Sequence, residues 1–142
     1  MKYLLSSLLL LASYAQAAEP FFQQLTLPSG LVVTVASGRG EPASIGSYDV
    51  RLYTGSQPQF PLDEFIAGVV LPRDGTIKEV KLAELSGDLA PELVVIAQSA
   101  GSGGYLSADA FTVNVGGIES FNHVEGLAPG EDVLKALRTL EE

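Results

Sequence analysis

The chain has 142 residues, no cysteine and one histidine, and its 8 basic and 17 acidic residues give a formal net charge of −9. The lack of cysteine excludes a disulfide scaffold, a thiol nucleophile and a thiolate metal site. The acidic balance disfavours nucleic-acid binding, which needs clustered Lys and Arg to neutralise phosphates. The same charge suits either simple solubility or electrostatic attraction to a basic protein.

The N-terminus has the features of a secretory signal. Lys2 supplies a positive start, residues 4–12 are apolar, and residues 15–17 form a small-residue cleavage site. This apolar stretch is shorter than the roughly 20 residues that cross a bilayer. We therefore expect residues 1–17 to be a cleaved signal peptide and residues 18–142 to form a single β-sandwich domain. The product is expected in the periplasm, soluble and without membrane insertion.

The apolar residues of the remaining chain follow strand periodicity. Between residues 47 and 53, Tyr48, Val50 and Leu52 alternate with polar side chains, which is typical of a strand with one buried face. Residues 31–35, 65–71 and 93–97 are instead continuous apolar runs, and these predict strands buried on both faces.

Short segments rich in Gly, Pro, Asp and Ser separate these runs, and no long helix intervenes. This regular spacing predicts an all-β protein, an antiparallel β-sandwich of about eight strands, with a barrel as the alternative. A short C-terminal helix is expected within residues 131–140, and the imperfect alternation in 77–84 predicts an edge strand with a bulge or a helical turn. The strands are expected near residues 21–27, 31–37, 45–54, 63–71, 76–84, 92–99, 105–115 and 118–125.

The junction between the sixth and seventh strands is the strongest candidate site. The apolar run from Glu92 leads into Ala100-Gly-Ser-Gly-Gly-Tyr105, where only Ser102 and Tyr105 have polar side chains. A plain connection between strands is one interpretation, since most such loops are connections. Two observations favour recognition: the loop is longer than a two-residue turn, and tyrosine beside serine and glycine is typical of binding surfaces.

Catalytic and phosphate-binding interpretations of this loop are weak. Ser102 loosely fits a nucleophile elbow, but that motif must open a helix, and here a strand is expected to follow. The same argument excludes a phosphate-binding glycine loop. The only histidine, His123, is expected on a solvated strand face with Glu119 and Glu125.

No metal or cofactor site is predicted. The acidic pairs at residues 63–64 and 131–132 lack the alternating spacing and final glutamate of a calcium loop. Residues 87–95 resemble the loop–strand unit of propeller repeats, but the unit occurs once, so a tight turn before a core strand is preferred. No spacing selects a glycosidase-type carboxylate pair among the many acids.

The segment 99–111 resembles the core of the periplasmic inhibitors of invertebrate-type lysozymes. Residues Ser102-Gly103-Gly104-Tyr105 match that family's Ser-Gly-x-Tyr motif, and residues 46–55 and 91–95 are also similar to it. The resemblance implies an eight-stranded β-sandwich that is not an enzyme and that plugs the substrate cleft of a lysozyme, its protein partner. It also points to a homodimer.

In this interpretation the lysozyme-binding residues are Ser102, Gly103, Gly104 and Tyr105. The Ser102 hydroxyl is expected to reach a catalytic carboxylate, and Tyr105 to fill or seal a sugar subsite, with the glycine amides as further neutral donors. A rival hypothesis is a periplasmic glycan-binding or adhesion module without inhibitory activity. A small secreted hydrolase using Ser102 is a third.

Overall fold

The structure is a computed structural model, and it describes residues 20–138. The expected signal peptide, residues 1–17, lies outside the described residues, as do residues 139–142. Within residues 20–138 no helix is long and apolar enough to cross a membrane.

Eight antiparallel strands form two sheets of four, and within each sheet every strand pairs with its neighbours in sequence. The first sheet contains β1 (Phe22–Thr26), β2 (Val32–Ser37), β3 (Ile45–Tyr53) and β4 (Phe65–Asp74). The second contains β5 (Thr76–Ala83), β6 (Glu92–Gln98), β7 (Leu106–Asn114) and β8 (Gly117–Leu127), and the helix α1 (Val133–Arg138) follows. The predicted β-sandwich with a short C-terminal helix is confirmed.

The main core lies between the two sheets. Val50 and Leu52 of β3 and Leu93 and Phe111 of the second sheet are at most 2 % exposed there. The alternation in residues 47–53 therefore marks the buried face of β3, as predicted.

A second core covers the outer face of the second sheet. Val94 and Ile96 of β6 pack there with Ala110 of β7 and with Val133 and Leu137 of α1. Because β6 faces a core on each side, its continuous apolar sequence is explained.

The prediction that a continuous apolar run forms a strand buried on both faces is confirmed for β2 and wrong for β4. Residues Val32, Val33, Thr34 and Val35 of β2 are buried. The strand β4 is instead an edge strand, on which Phe65 and Val70 are largely exposed. An apolar run alone does not distinguish a central strand from an edge strand.

The strand β5 is also an edge strand, and its register to β6 shifts between Ile77 and Glu79. The predicted edge strand with a bulge is therefore correct. The preceding turn is shorter than expected, because Arg73 and Asp74 belong to β4 and the chain turns at Gly75. A side chain is excluded at Gly75, whose φ is +84° and whose added Cβ would lie 1.8 Å from the Gln98 carbonyl oxygen.

The helix α1 begins one residue after Asp132. The Asp132 carboxylate accepts a hydrogen bond from the Lys135 amide at 3.1 Å, which caps the first turn. Lys135 and Arg138 lie in the last turn, where the helix dipole favours positive charge. The expected extension to residue 140 lies outside the described residues.

Candidate functional site

The loop 99–105 leaves the sandwich at the end of the β6–β7 hairpin. Gln98 and Leu106 form the last paired rung of the two strands. The Ser99 amide donates to the Tyr105 carbonyl at 2.9 Å, and the Gln98 side-chain amide donates to the Gly104 carbonyl at 3.2 Å. These two bonds fix both ends of the loop on buried strands.

Two glycines shape the tip of this loop. Gly103 and Gly104 have φ values of +99° and +56°, a region that other residues rarely adopt. A Cβ on Gly103 would lie 3.0 Å from the Tyr105 ring, and one on Gly104 would lie 2.8 Å from the Gln98 side chain. The positive φ values therefore favour glycine at both positions, and a side chain at Gly103 would also crowd the Tyr105 ring.

The side chains of Ser102 and Tyr105 face solvent. Ser102 is exposed, and Tyr105 is 54 % exposed although it directly precedes the buried Leu106. No residue from Ser99 to Tyr105 carries a charge. The structure thus brings Ser102 and Tyr105 together on one uncharged projecting loop and leaves both free to contact another molecule.

An open groove of about 690 Å³ lies beside the loop, between residues of β3 and β4 in one sheet and of β6, β7 and β8 in the other. Tyr105 forms part of its wall, and Asp74, Asp109 and Glu125 place carboxylates along it. The neutral loop therefore stands next to an acidic groove, which can accept basic or hydrogen-bond-donating groups of a partner.

A hydrogen-bonded chain of side chains crosses this groove. The Tyr48 hydroxyl donates to Asp109 Oδ2 at 2.5 Å, and His123 Nδ1 lies 2.7 Å from Asp109 Oδ1. His123 Nε2 lies 3.4 Å from a carboxylate oxygen of Glu125. These hydrogen bonds connect β3 of one sheet to β7 and β8 of the other, so they join the two sheets at the end that carries the loop 99–105.

The environment of these hydrogen-bonded side chains shifts the pKa values of Tyr48 and His123. Burial, and then the hydrogen bond and charge of Asp109, raise the pKa of the Tyr48 hydroxyl, which therefore remains a donor. Partial burial is the largest single influence on His123 and lowers its pKa. The hydrogen bonds and charges of Asp109 and Glu125 together outweigh burial, so the net pKa of His123 is raised.

Sequence reasoning missed the pairing of Asp109 with His123. A regular hairpin register from the Asn114–Gly117 pair would place Asp109 opposite Asn122, but a bulge between Ala110 and Phe111 places it opposite His123. Glu119 remains opposite Thr112, which points to the other face of β7. The expected shared face of His123 and Glu125 is therefore correct, and the inclusion of Glu119 is wrong.

Arg73, also missed, supports the opposite wall of the groove. Its guanidinium is buried and donates to the carbonyls of Ser47, Ala43 and Pro42 at 3.2, 3.0 and 2.9 Å, and also to the Gly75 carbonyl. A charged residue in the turn-like sequence 73–75 gave no signal of burial. Its role is to hold the segment before β3, whose first residues line the groove.

The described residues bring one group of possible metal ligands together, and it lies outside this site. Glu84, Asp88 and Glu92 precede or begin β6, whereas the loop 99–105 follows β6, so the two features lie at opposite ends of that strand.

Comparison with known proteins decides the family. The sequence profile of the family described as periplasmic lysozyme inhibitor of I-type lysozyme matches residues 19–141. The chain belongs to this family. The resemblance seen in residues 99–111 is thereby confirmed, and so is the expectation of an inhibitor rather than an enzyme.

Two similar crystal structures agree with this assignment. The periplasmic inhibitor of I-type lysozyme from Aeromonas hydrophila is 73 % identical, with a TM-score of 0.81 over 82 % of this chain and 98 % of that one. The A. hydrophila inhibitor in complex with Meretrix lusoria lysozyme is 72 % identical, with a TM-score of 0.80 over 84 % of this chain and 97 % of that one. The search of curated proteins gave no match.

Proposed function

We propose that this protein inhibits an invertebrate-type lysozyme in the periplasm by inserting the loop Ser102–Tyr105 into the enzyme's substrate cleft. Family membership supports the inhibitory activity, and the related A. hydrophila structure is a complex with a lysozyme. The observation that carries the loop mechanism is the exposure of Ser102 and Tyr105 on an uncharged loop with fixed ends.

The chemistry of a lysozyme cleft suits such a loop. Glycoside hydrolases hold two carboxyl groups in a groove shaped for a sugar chain. A plug that carried its own carboxylates would meet like charges in a desolvated site, which is unfavourable. The Ser102 hydroxyl, the Tyr105 hydroxyl and the backbone amide of Gly103 are neutral donors, so they can hydrogen-bond to the cleft carboxylates without this repulsion. The Gly104 amide donates to the Gly101 carbonyl at 3.4 Å within the loop.

The fixed loop ends also reduce the cost of binding. A loop that is already ordered loses little conformational entropy when it enters a cleft, and more of the contact energy then appears as affinity. The hydrogen bonds from Gln98 and Ser99 and the glycine-dependent tip supply this order before the partner arrives.

Alanine substitution tests the mechanism. We expect Tyr105→Ala to weaken binding by at least about 2 kcal/mol, as the loss of a buried aromatic anchor does. Ser102→Ala should cost about 1–3 kcal/mol, because a polar group of the enzyme loses its partner. The inhibition constant against an invertebrate-type lysozyme measures both effects, and circular dichroism checks that the variants remain folded.

Matched controls replace residues of similar exposure elsewhere. Phe60→Ala removes an aromatic side chain that is 58 % exposed, and Ser120→Ala removes an exposed hydroxyl from β8; neither should change inhibition. Unchanged inhibition by both loop variants would exclude the loop from the mechanism while leaving family membership intact. Retention of the protein on insoluble peptidoglycan without lysozyme would instead favour the glycan-binding alternative. The homodimer stays a prediction.

A further inference from the structure

Three glycines make the tip of the loop 99–105 intrinsically flexible. Without a Cβ, Gly101, Gly103 and Gly104 can adopt many backbone conformations, and ordering them costs conformational entropy. Inside the loop, the Gly101 amide donates to the Ser99 hydroxyl at 3.3 Å and the Gly104 amide to the Gly101 carbonyl at 3.4 Å. Both bonds are longer than most hydrogen bonds of this type, so they restrain the tip only weakly.

Gln98 restrains the tip from outside the loop. Its side-chain amide donates to the Gly104 carbonyl at 3.2 Å, whereas the bond between the Ser99 amide and the Tyr105 carbonyl closes only the base. The Gly104 carbonyl belongs to the peptide bond that leads into Tyr105. Because a peptide unit is planar, the hydrogen bond from Gln98 fixes the orientation of the whole unit from which Tyr105 projects.

Gln98 is itself held by its neighbours in the sheet. It lies on β6, opposite Thr76 of β5 and Leu106 of β7, and it is partly buried. A Cβ on Gly104 would lie 2.8 Å from the Gln98 amide nitrogen and 3.8 Å from the Pro129 ring. The Gln98 amide therefore lies against Gly104, in space that a side chain at position 104 would need. A donor on a fully paired strand thus reaches the carbonyl of a flexible loop.

We propose that Gln98 is the positioning residue of the inhibitory loop. By holding the Gly104 carbonyl, its side chain keeps Ser102 and Tyr105 in the arrangement that enters the lysozyme cleft. This inference rests on the proposed function. Gln98 acts through the loop and not by contact with the enzyme, so its effect is on the free protein. If only a fraction of the free molecules has a competent loop, the apparent association rate constant falls by that fraction, while the contacts that set dissociation are unchanged.

Gln98→Met tests this role, because methionine is similar in length and has no donor. Since loss of one such hydrogen bond shifts an equilibrium about 2- to 12-fold, the association rate constant with an invertebrate-type lysozyme should fall about 2- to 10-fold in biolayer interferometry. The dissociation rate constant should change by less than about two-fold. In the free variant, the NMR order parameters of the Gly103 and Gly104 amides should fall towards those of flexible backbone. Gln98→Glu, which keeps the shape but has no N–H donor, should slow association as well.

Gln23→Met is a matched control. The Gln23 side-chain amide also donates to a backbone carbonyl, that of Val80 at 3.3 Å, but it joins the edge strands β1 and β5. Urea unfolding should show similar losses of stability for the two methionine variants, and Gln23→Met should leave both rate constants unchanged. The inference is overturned if the two variants associate equally fast, or if Gln98→Met changes dissociation alone. Unchanged inhibition by Tyr105→Ala and Ser102→Ala would instead remove the loop mechanism itself, so the two failures are distinguishable.

Discussion

Alanine at Gly103 should weaken inhibition far more than alanine at Gly101, although both residues belong to the same loop. At Gly103 the backbone has φ +99°, and the added methyl group would press on the Tyr105 ring at 3.0 Å. At Gly101 no positive φ is required, and the methyl group would meet only the Ser99 hydroxyl at an ordinary 3.6 Å. The two substitutions add the same atoms but only the first conflicts with the conformation that presents Tyr105.

The size of the effect follows from the strain. A non-glycine residue held in a sparsely populated backbone region costs about 1–3 kcal/mol. In the free protein the exposed loop of the Gly103→Ala variant can relax, so the cost reappears when the cleft demands the original shape. We therefore expect the inhibition constant to rise about 5- to 150-fold, since each 1.4 kcal/mol is a factor of ten. Gly101→Ala should change it little.

A turbidity assay with peptidoglycan and an invertebrate-type lysozyme measures both constants, and urea unfolding checks the fold. The free energy of unfolding should change little in either variant, because the loop lies outside both hydrophobic cores. Equal inhibition by the two variants would refute the argument that a pre-formed loop carries the binding.

Two further predictions concern the groove beside the loop. Arg73→Met should lower the free energy of unfolding by about 3 kcal/mol or more in urea titrations, because several carbonyls lose a buried cationic donor. The control Arg51→Met, which removes an exposed arginine paired with Asp49, should cost no more than about 1 kcal/mol, and equal losses would contradict this account. His123→Gln should flatten the pH dependence of the free energy of unfolding. The pKa of His123 is raised in the folded state, so its stabilising contribution is complete below the unfolded-state pKa and is lost as pH rises through the folded-state pKa. Urea titrations from about pH 5.5 to 8.5 should show the wild type losing stability relative to the variant, and parallel curves would count against the Asp109–His123 pairing.

Much of the fold is predictable because strand periodicity is local. All eight strands and the helix occur where hydrophobic pattern and turn residues place them, and the bulged edge strand β5 is visible in the broken alternation of residues 77–84. Burial of the outer face of β6 also follows from its continuous apolar sequence. The apolar run of β4 gives a wrong prediction of burial, because the position of a strand within a sheet depends on the whole fold and not on its local sequence.

The groove is much less predictable, because it depends on register and on distant partners. The bulge between Ala110 and Phe111 decides that His123, and not Asn122, faces Asp109, and nothing in the local sequence marks its position. The burial of Arg73 depends on carbonyls about 30 residues earlier in the chain. The sequence shows which residue types occupy the loop tip, but it does not predict which side chains surround and support the loop.

The placement of the candidate binding loop on β6 and β7 has a mechanical consequence. These two strands carry both hydrophobic cores, with Leu93 and Phe111 facing the other sheet and Val94 and Ala110 facing the helix. The last paired rung, Gln98 with Leu106, therefore cannot shift without disturbing packing on both faces of the sheet. The loop is anchored where the fold is most constrained, so the conformational entropy of the segment that presents Ser102 and Tyr105 is lost on folding and not on binding. Under the proposed loop mechanism, affinity comes from rigidity as well as from contacts, so changes to backbone freedom at Gly103 should affect binding as much as the loss of a contacting side chain.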